Sequence, residues 1–211
     1  MWTDSKYFTV QSFSRRVGHY VLSSAPPSLV PKAKWGASLH VYMGVTLFGL
    51  TEMIIVSGGS VKNRTYRRVN DGQLYVGVCA EEYQTMVLPL FAREGRRLFA
   101  RRHSRAWMLQ QDGAAIHQTV ASLQLARSVA PGGLLEPWPA NSPDFSLIEN
   151  VWAMMAERIS RMPDCTSIDD LKSHLEVARA SIKAEDLRGL FASVPRRLKD
   201  CIEMGGATVR F

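Results

Sequence analysis

Apolar and polar positions follow two different periods along this chain, and the switch between them divides it into a strand-rich first part and a helical remainder. Trp2 to Val10 contains Tyr7, Phe8, Thr9 and Val10, residues that suit a pleated half-buried surface, and predicts a strand with Asp4 inside it or at its edge. Trp35 to Tyr42 and Val45 to Val56 predict two or three further strands, with a bend near Phe48-Gly49 and an end at Ser57-Gly58-Gly59-Ser60. Residues 23 to 34 contain Pro26, Pro27 and Pro31 and predict a loop; Asn63 to Gly77 mixes Arg, Asn, Asp and Gly without a period and predicts a loop or an insertion.

Helical spacing begins at Glu81 to Phe91, where Tyr83, Val87, Leu90 and Phe91 share a face interrupted by Pro89. An apolar strand, Ala106 to Leu109, then delivers Asp112, followed by a helix over Ile116 to Ala126 and a short strand near Leu134-Leu135. Ser146 to Ile159 predicts a helix whose stripe of Ile148, Val151, Trp152, Met155 and Ile159 faces a core. Three more helices are expected over Ser167 to Ala180, Ala184 to Phe191 and Val194 to Met204, the last stopped by Gly205-Gly206. Strands first, alternating elements next and helices last predict an α/β fold, a mixed sheet covered by helices in one domain spanning residues 1 to 211.

Composition changes this picture little, and charge changes it more. A 211-residue chain with 46% apolar and 21% charged residues can bury a core and is not expected to be disordered. Its 26 Lys and Arg against 19 Asp and Glu give +7, which favours an anionic partner such as nucleic acid. Six arginines, Arg93, Arg96, Arg97, Arg101, Arg102 and Arg105, fall within thirteen residues and read either as phosphate contacts or as a solvated face. Cys79, Cys165 and Cys201 lack disulfide or zinc spacing, so a reducing compartment with inert thiols is expected. The N-terminal residues have neither a basic region nor an apolar stretch of the secretory kind, which points to the nucleus or cytoplasm. The run Val41 to Val56 is interrupted by Gly44, Gly49 and Glu52 and reads as a hairpin rather than a membrane span.

Three acids then carry the candidate chemistry. Asp112 ends a predicted strand, Glu149 opens a predicted helix, and Asp4 lies in the first strand, so distant segments could bring them together. Phosphoryl transfer on nucleic acid is served by two divalent ions about 4 Å apart, and magnesium takes carboxylate oxygens plus water without requiring His or Cys. Each acid also has a purely structural explanation. Asp112 could cap the helix after it, Ser146-Leu147-Ile148-Glu149 has the form of a capping box, and Asp4 could be an edge acid. His117 could orient a water or a phosphate, or be a structural histidine.

The stretches Gln111-Asp112-Gly113-Ala114-Ala115-Ile116-His117, Trp138-Pro139 and Ser142-Pro143-Asp144-Phe145-Ser146-Leu147-Ile148-Glu149-Asn150-Val151-Trp152 resemble the DDE-type catalytic domain of mariner-superfamily transposases. Trp2 to Phe8 looks like that family's first-Asp strand, Lys34 to Ala37 like its next strand, and Pro195-Arg196-Arg197-Leu198 with Gly205-Gly206 like its C-terminal helix. The resemblance implies an RNase H-like fold and a DNA cut-and-join activity using two Mg²⁺ or Mn²⁺ ions. By position, Asp4, Asp112 and Glu149 would be the catalytic and metal-binding acids, while Asp144 belongs to the turn before the third. Arg196, Arg197 and Lys199 would join the arginines of 93 to 105 in contacting DNA phosphates. Gly113, Ser5 and Leu147 depart from the family's usual Asn, Glu and Pro, and none of them removes an acid. Because family members carry paired helix-turn-helix domains ahead of the catalytic domain, the resemblance also leads us to expect a truncated copy without specific end recognition. A homodimer is compatible with it. The rival expectation is an inactive, basic nucleic-acid-binding relic.

Overall fold

The computed structural model describes residues 1–10, 38–56, 67–68, 74–75, 78–100, 106–140 and 142–208. The loop predicted at 23 to 34, the Lys34 to Ala37 stretch, Ser57 to Ser60, and Arg101, Arg102 and Arg105 lie outside these residues. Strand β1 (Trp2–Thr9) pairs antiparallel with β2 (Ser38–Thr46), setting Asp4 opposite Met43. β2 runs unbroken through Gly44, where two separate strands were expected. Gly44 N–H donates to the Thr51 hydroxyl (2.8 Å), and its bare Cα admits Met1 and Thr51, whose atoms stand 3.1 Å from where a Cβ would sit.

The hairpin turns at Leu47-Phe48, with Gly49 at a φ of +143°, a conformation that L side chains rarely adopt. Beyond it the predicted single strand is split into β3 (Gly49–Leu50) and β4 (Ile54–Val56), both paired with β2. Thr51 causes the break, since its hydroxyl serves Gly44 and the Glu52 carbonyl instead of letting the ladder continue. On the far side of β1, the extended segment before Asp112 runs parallel to it. Thr3 N–H donates to Gln110 O (3.1 Å), Gln110 N–H donates to Met1 O (2.8 Å), and Leu109 bridges onward to Leu134. The named strands of the sheet thus pair antiparallel throughout, and the parallel component expected from the sequence is present only as these isolated bridges. Within 63 to 77, β5 (Arg67–Arg68) and β6 (Leu74–Tyr75) pair as a separate two-stranded ribbon.

Helices cover both faces. Cys79 caps α1 (Ala80–Glu82), which widens into a π turn over Tyr83–Val87 and continues as α2 (Leu88–Phe99). Pro89 thus directly follows the π turn, whose widened register accommodates a residue without an N–H inside a continuing helix, and the helix outlasts the predicted end at Phe91. α3 (Val120–Val129) starts later than predicted, capped by Thr119, because residues 114 to 118 form turns. A 3-10 turn (Pro143–Phe145) leads into α4 (Leu147–Ile159), followed by α5 (Ile168–Ser181), α6 (Ala184–Ala192) and α7 (Val194–Glu203), which ends at Gly205 with a φ of +64°.

The period of two in β2 sorts the core. Leu39, Val41, Met43 and Val45 face the stripe of α4, including the fully buried Val151, Trp152 and Met155, together with Leu171 and Leu175 of α5. Tyr42 looks the other way, onto Tyr83, Val87, Phe91 and Trp107. Among the described residues no helix is long and apolar enough to cross a membrane.

Candidate active site

The same alternation directs Trp2, Asp4, Lys6 and Phe8 of β1 toward α4. Asp4 is half-buried there, and its Oδ2 accepts a hydrogen bond from the indole Nε1–H of Trp152 at 3.2 Å. Burial pushes its carboxyl up from 3.8 to about 6, and the charges of Glu149 and Asp112 push the same way against hydrogen bonds from Ser5 and Trp152. Asp4 is paired along its strand, not frayed at a terminus.

Asp112 follows the segment parallel to β1. The buried His117 ring directs Nδ1 at its Oδ1 (2.6 Å), and Ala114 N–H donates to the same oxygen (3.1 Å). These bonds, the His117 one foremost, hold the Asp112 carboxyl below the usual carboxylate range despite partial burial. His117 is positioned from behind, because Tyr83 O–H donates to Gln111 Oε1 (2.7 Å), Gln111 Nε2 donates to the His117 carbonyl (3.4 Å), and the Tyr83 ring lies 4.3 Å from the imidazole. The other imidazole nitrogen, Nε2, is buried without a partner among the described residues.

Glu149 sits in the first turn of α4, but the capping box expected from the sequence does not form. Ser146 holds the N-cap position and makes no side-chain cap, so Glu149 is not drawn back onto the helix start. Its carboxylate instead lies 3.9 Å from Lys6 Nζ, both side chains about 40% exposed. Asp4, Asp112 and Glu149 line one cleft of about 400 Å³, with Gly113, Trp138 and Pro143 among its other walls. Asp144 is half-buried on the 3-10 turn, while its neighbours Ser142, Pro143 and Ser146 form the cleft lip.

The basic residues divide by environment. Arg93 pairs with Glu52 and Glu94, and Arg97 holds the buried Glu94 (2.6 Å) and reaches the Leu50 carbonyl, so both brace α2 against the hairpin. Arg96 and Arg196 are exposed, and Lys199 lies 3.6 Å from Glu203. Arg197 departs from the expectation of a phosphate contact. It is 3% exposed and donates to the Asp144 carbonyl (2.7 Å), Asn150 Oδ1 (3.1 Å) and the Ser193 hydroxyl (2.8 Å), pinning α7 to the cleft lip. Its pKa is lowered by burial, which a free surface arginine would not experience.

The sequence placed Trp152 in a core stripe, Tyr83 on a helix face and Gln111 in a motif, but assigned none of these, nor Lys6, a part in positioning the acids. Two of them carried a signal: Lys6 is two residues from Asp4 on the same strand face, and Trp152 is one helical turn from Glu149. Tyr83 and Gln111 act across the sheet, where neither strand nor helix period reaches.

No protein-family model matches the chain. The Tcb1 transposase of Caenorhabditis briggsae is 32% identical over 109 residues, a match covering 51% of this chain and 38% of that protein. The catalytic domain of the Mos1 mariner transposase superposes with a TM-score of 0.63 and 15% identity, over 82% of this chain and 76% of that one. The chain thus shares the fold of the Mos1 catalytic domain and, over about half its length, resembles the Tcb1 transposase in sequence. A mariner Mos1 paired-end complex with Mg superposes with a TM-score of 0.69 and 17% identity, over 99% of this chain and 56% of that one. The chain thus spans little more than half the length of that transposase. The shared fold is the RNase H-like one that the motifs implied.

The donor chemistry is of the kind that hard divalent cations take, such as the Mg of that Mos1 complex. Three hard carboxylate groups face one cleft, and Asp4 carries the repulsion of two like charges that a cation would offset. Among the described residues no three His, Cys, Asp or Glu side chains stand close enough to hold a single ion together. Magnesium, which keeps several waters and uses one or two carboxylates with substrate phosphates, does not require them to.

Proposed function

We propose that this chain is the metal-dependent endonuclease and strand-joining domain of a cut-and-paste transposase, acting on DNA through Asp4, Asp112 and Glu149. The observation that carries this reading is the convergence of those three acids, from β1, from the segment parallel to it and from the first turn of α4, on one cleft. Two Mg²⁺ or Mn²⁺ ions bound there would lower the pKa of a water or 3′-hydroxyl and neutralise charge on the scissile phosphate.

The chain's own groups prepare that chemistry. Both hydrogen bonds to the Asp112 carboxylate use Oδ1, leaving Oδ2 without a protein donor among the described residues. Trp152 fixes Asp4 from beneath, so its carboxylate turns little when charge arrives. Lys6 sits beside Glu149, where a cation attracts a phosphate backbone. Exposed Arg196, next to the pinned Arg197, extends positive potential along the lip without reading bases.

The test is nicking of supercoiled plasmid by the purified chain. Relaxation in Mg²⁺ or Mn²⁺ that disappears with chelator and in Asp112→Ala supports the reading; equal nicking by Asp112→Ala overturns it. DNA binding that persists in chelator with no nicking in either metal identifies a catalytically silent binding domain.

A further inference from the structure

A second cavity of about 210 Å³ adjoins the acid cleft, and Asp112, Gly113 and Trp138 line both. Its floor is apolar, formed by Leu123, Leu134 and Leu135, and its rim carries the exposed Gln118. Trp138 is half-buried and stacks on no aromatic ring among the described residues. Pro137 and Pro139 on either side of it restrict the backbone that holds the indole. Between the two cavities stands Gly113, where an added Cβ would meet nothing within 4 Å, so the passage past Asp112 is open. Glu136 at the rim is held by Arg127 in two hydrogen bonds (2.7 and 3.0 Å), so the pair brings little net charge against an approaching phosphate.

We propose that this side cavity is a nucleobase subsite: it takes one unstacked base of the strand whose phosphate lies in the acid cleft, stacked on Trp138 and met at its edge by the Gln118 carboxamide. The inference rests on the reading of the acid cleft as a DNA site. Phosphate and base of one nucleotide are a few bonds apart, and the two cavities share a wall of three residues, so one nucleotide can occupy both. An aromatic face flanked by apolar side chains accepts any base, while a Gln side chain offers a donor and an acceptor to a base edge. Extruding a base from a duplex costs unpairing and unstacking, least at a mismatched or already single-stranded position, so the subsite favours unpaired strands.

The test measures binding of the full chain, in chelator, to a single-stranded oligonucleotide and to an abasic strand of equal length and phosphate number. Stacking of one base predicts that the base-bearing strand binds about 5- to 150-fold more tightly. Trp138→Ala should remove that preference while leaving abasic affinity unchanged, and Trp138→Phe should keep most of it. Gly113→Phe, which fills the passage, should also reduce the preference, with an unchanged melting temperature showing that the fold is intact. Equal binding of both strands by the unmodified chain, or a preference that survives Trp138→Ala, overturns the subsite and leaves the DNA reading standing. Absence of binding to either strand overturns both.

Discussion

At Asp4, burial and two neighbouring carboxylates act in the same direction, holding the acid near 6 against an ordinary 3.8. The folded state therefore binds this proton more tightly than the unfolded chain, and the contribution of Asp4 to stability falls as pH rises from about 4 to about 6. Asn at this position removes the charge but can still accept the Trp152 hydrogen bond. In chelator, Asp4→Asn should melt above the parent at pH 7 to 8, with the gap closing as pH falls toward 4; a gap independent of pH contradicts the assigned cause. Arg196 and Arg197 make the complementary case that adjacent residues of one type need not share a role. Arg197→Ala leaves the Asp144 carbonyl and Asn150 without their buried donor and should cost about 1–3 kcal/mol in chemical denaturation. Arg196→Ala should leave stability within about 0.5 kcal/mol and lower the salt slope of DNA binding by about 0.9. Stability losses of equal size at the two positions would contradict this division.

Capping shows what the sequence could and could not disclose about elements. Ser146 and Ser167 both precede an acid at the third helical position. Only Ser167 forms the reciprocal box, with Asp170; Ser146 comes directly out of a 3-10 turn and makes no cap. Ser167→Ala should cost about 0.5–2 kcal/mol in a thermal or urea melt, and Ser146→Ala only a few tenths. A loss at Ser146 as large as that at Ser167 would restore the capping box to Glu149. Helices with a clean 3.6 period, α4 to α6, were legible within a residue or two because their burial follows from their own spacing, whereas α7 was legible from its flanking Gly205-Gly206 while burying only Arg197. The break at Thr51 and the uninterrupted β2 were not legible, since both depend on one Thr hydroxyl reaching Gly44 seven residues away. Pro89 interrupts the pattern but not the helix for a related reason: a π turn directly ahead of it absorbs the missing N–H, and pattern alone does not show where a helix widens.

For the whole molecule, net charge and motif spacing indicated a basic protein with three separated acids, while the fold decides which charges are available. Part of the arginine cluster is turned to structure, with Arg93 and Arg97 neutralising Glu52 and Glu94, so counting the cluster overstates the surface open to phosphate. The acids show the reverse. Each had a local explanation in the sequence, yet β1, the parallel segment and α4 carry all three to one cleft. The central claim is that Asp4, Asp112 and Glu149 act as one metal-binding unit, and titration of the chain with Mn²⁺ by calorimetry tests it most directly. The account predicts binding by the parent chain that is weakened at least about tenfold, or about 1.4 kcal/mol, in each of Asp4→Asn, Asp112→Asn and Glu149→Gln. Binding undiminished by any one of these substitutions would contradict it.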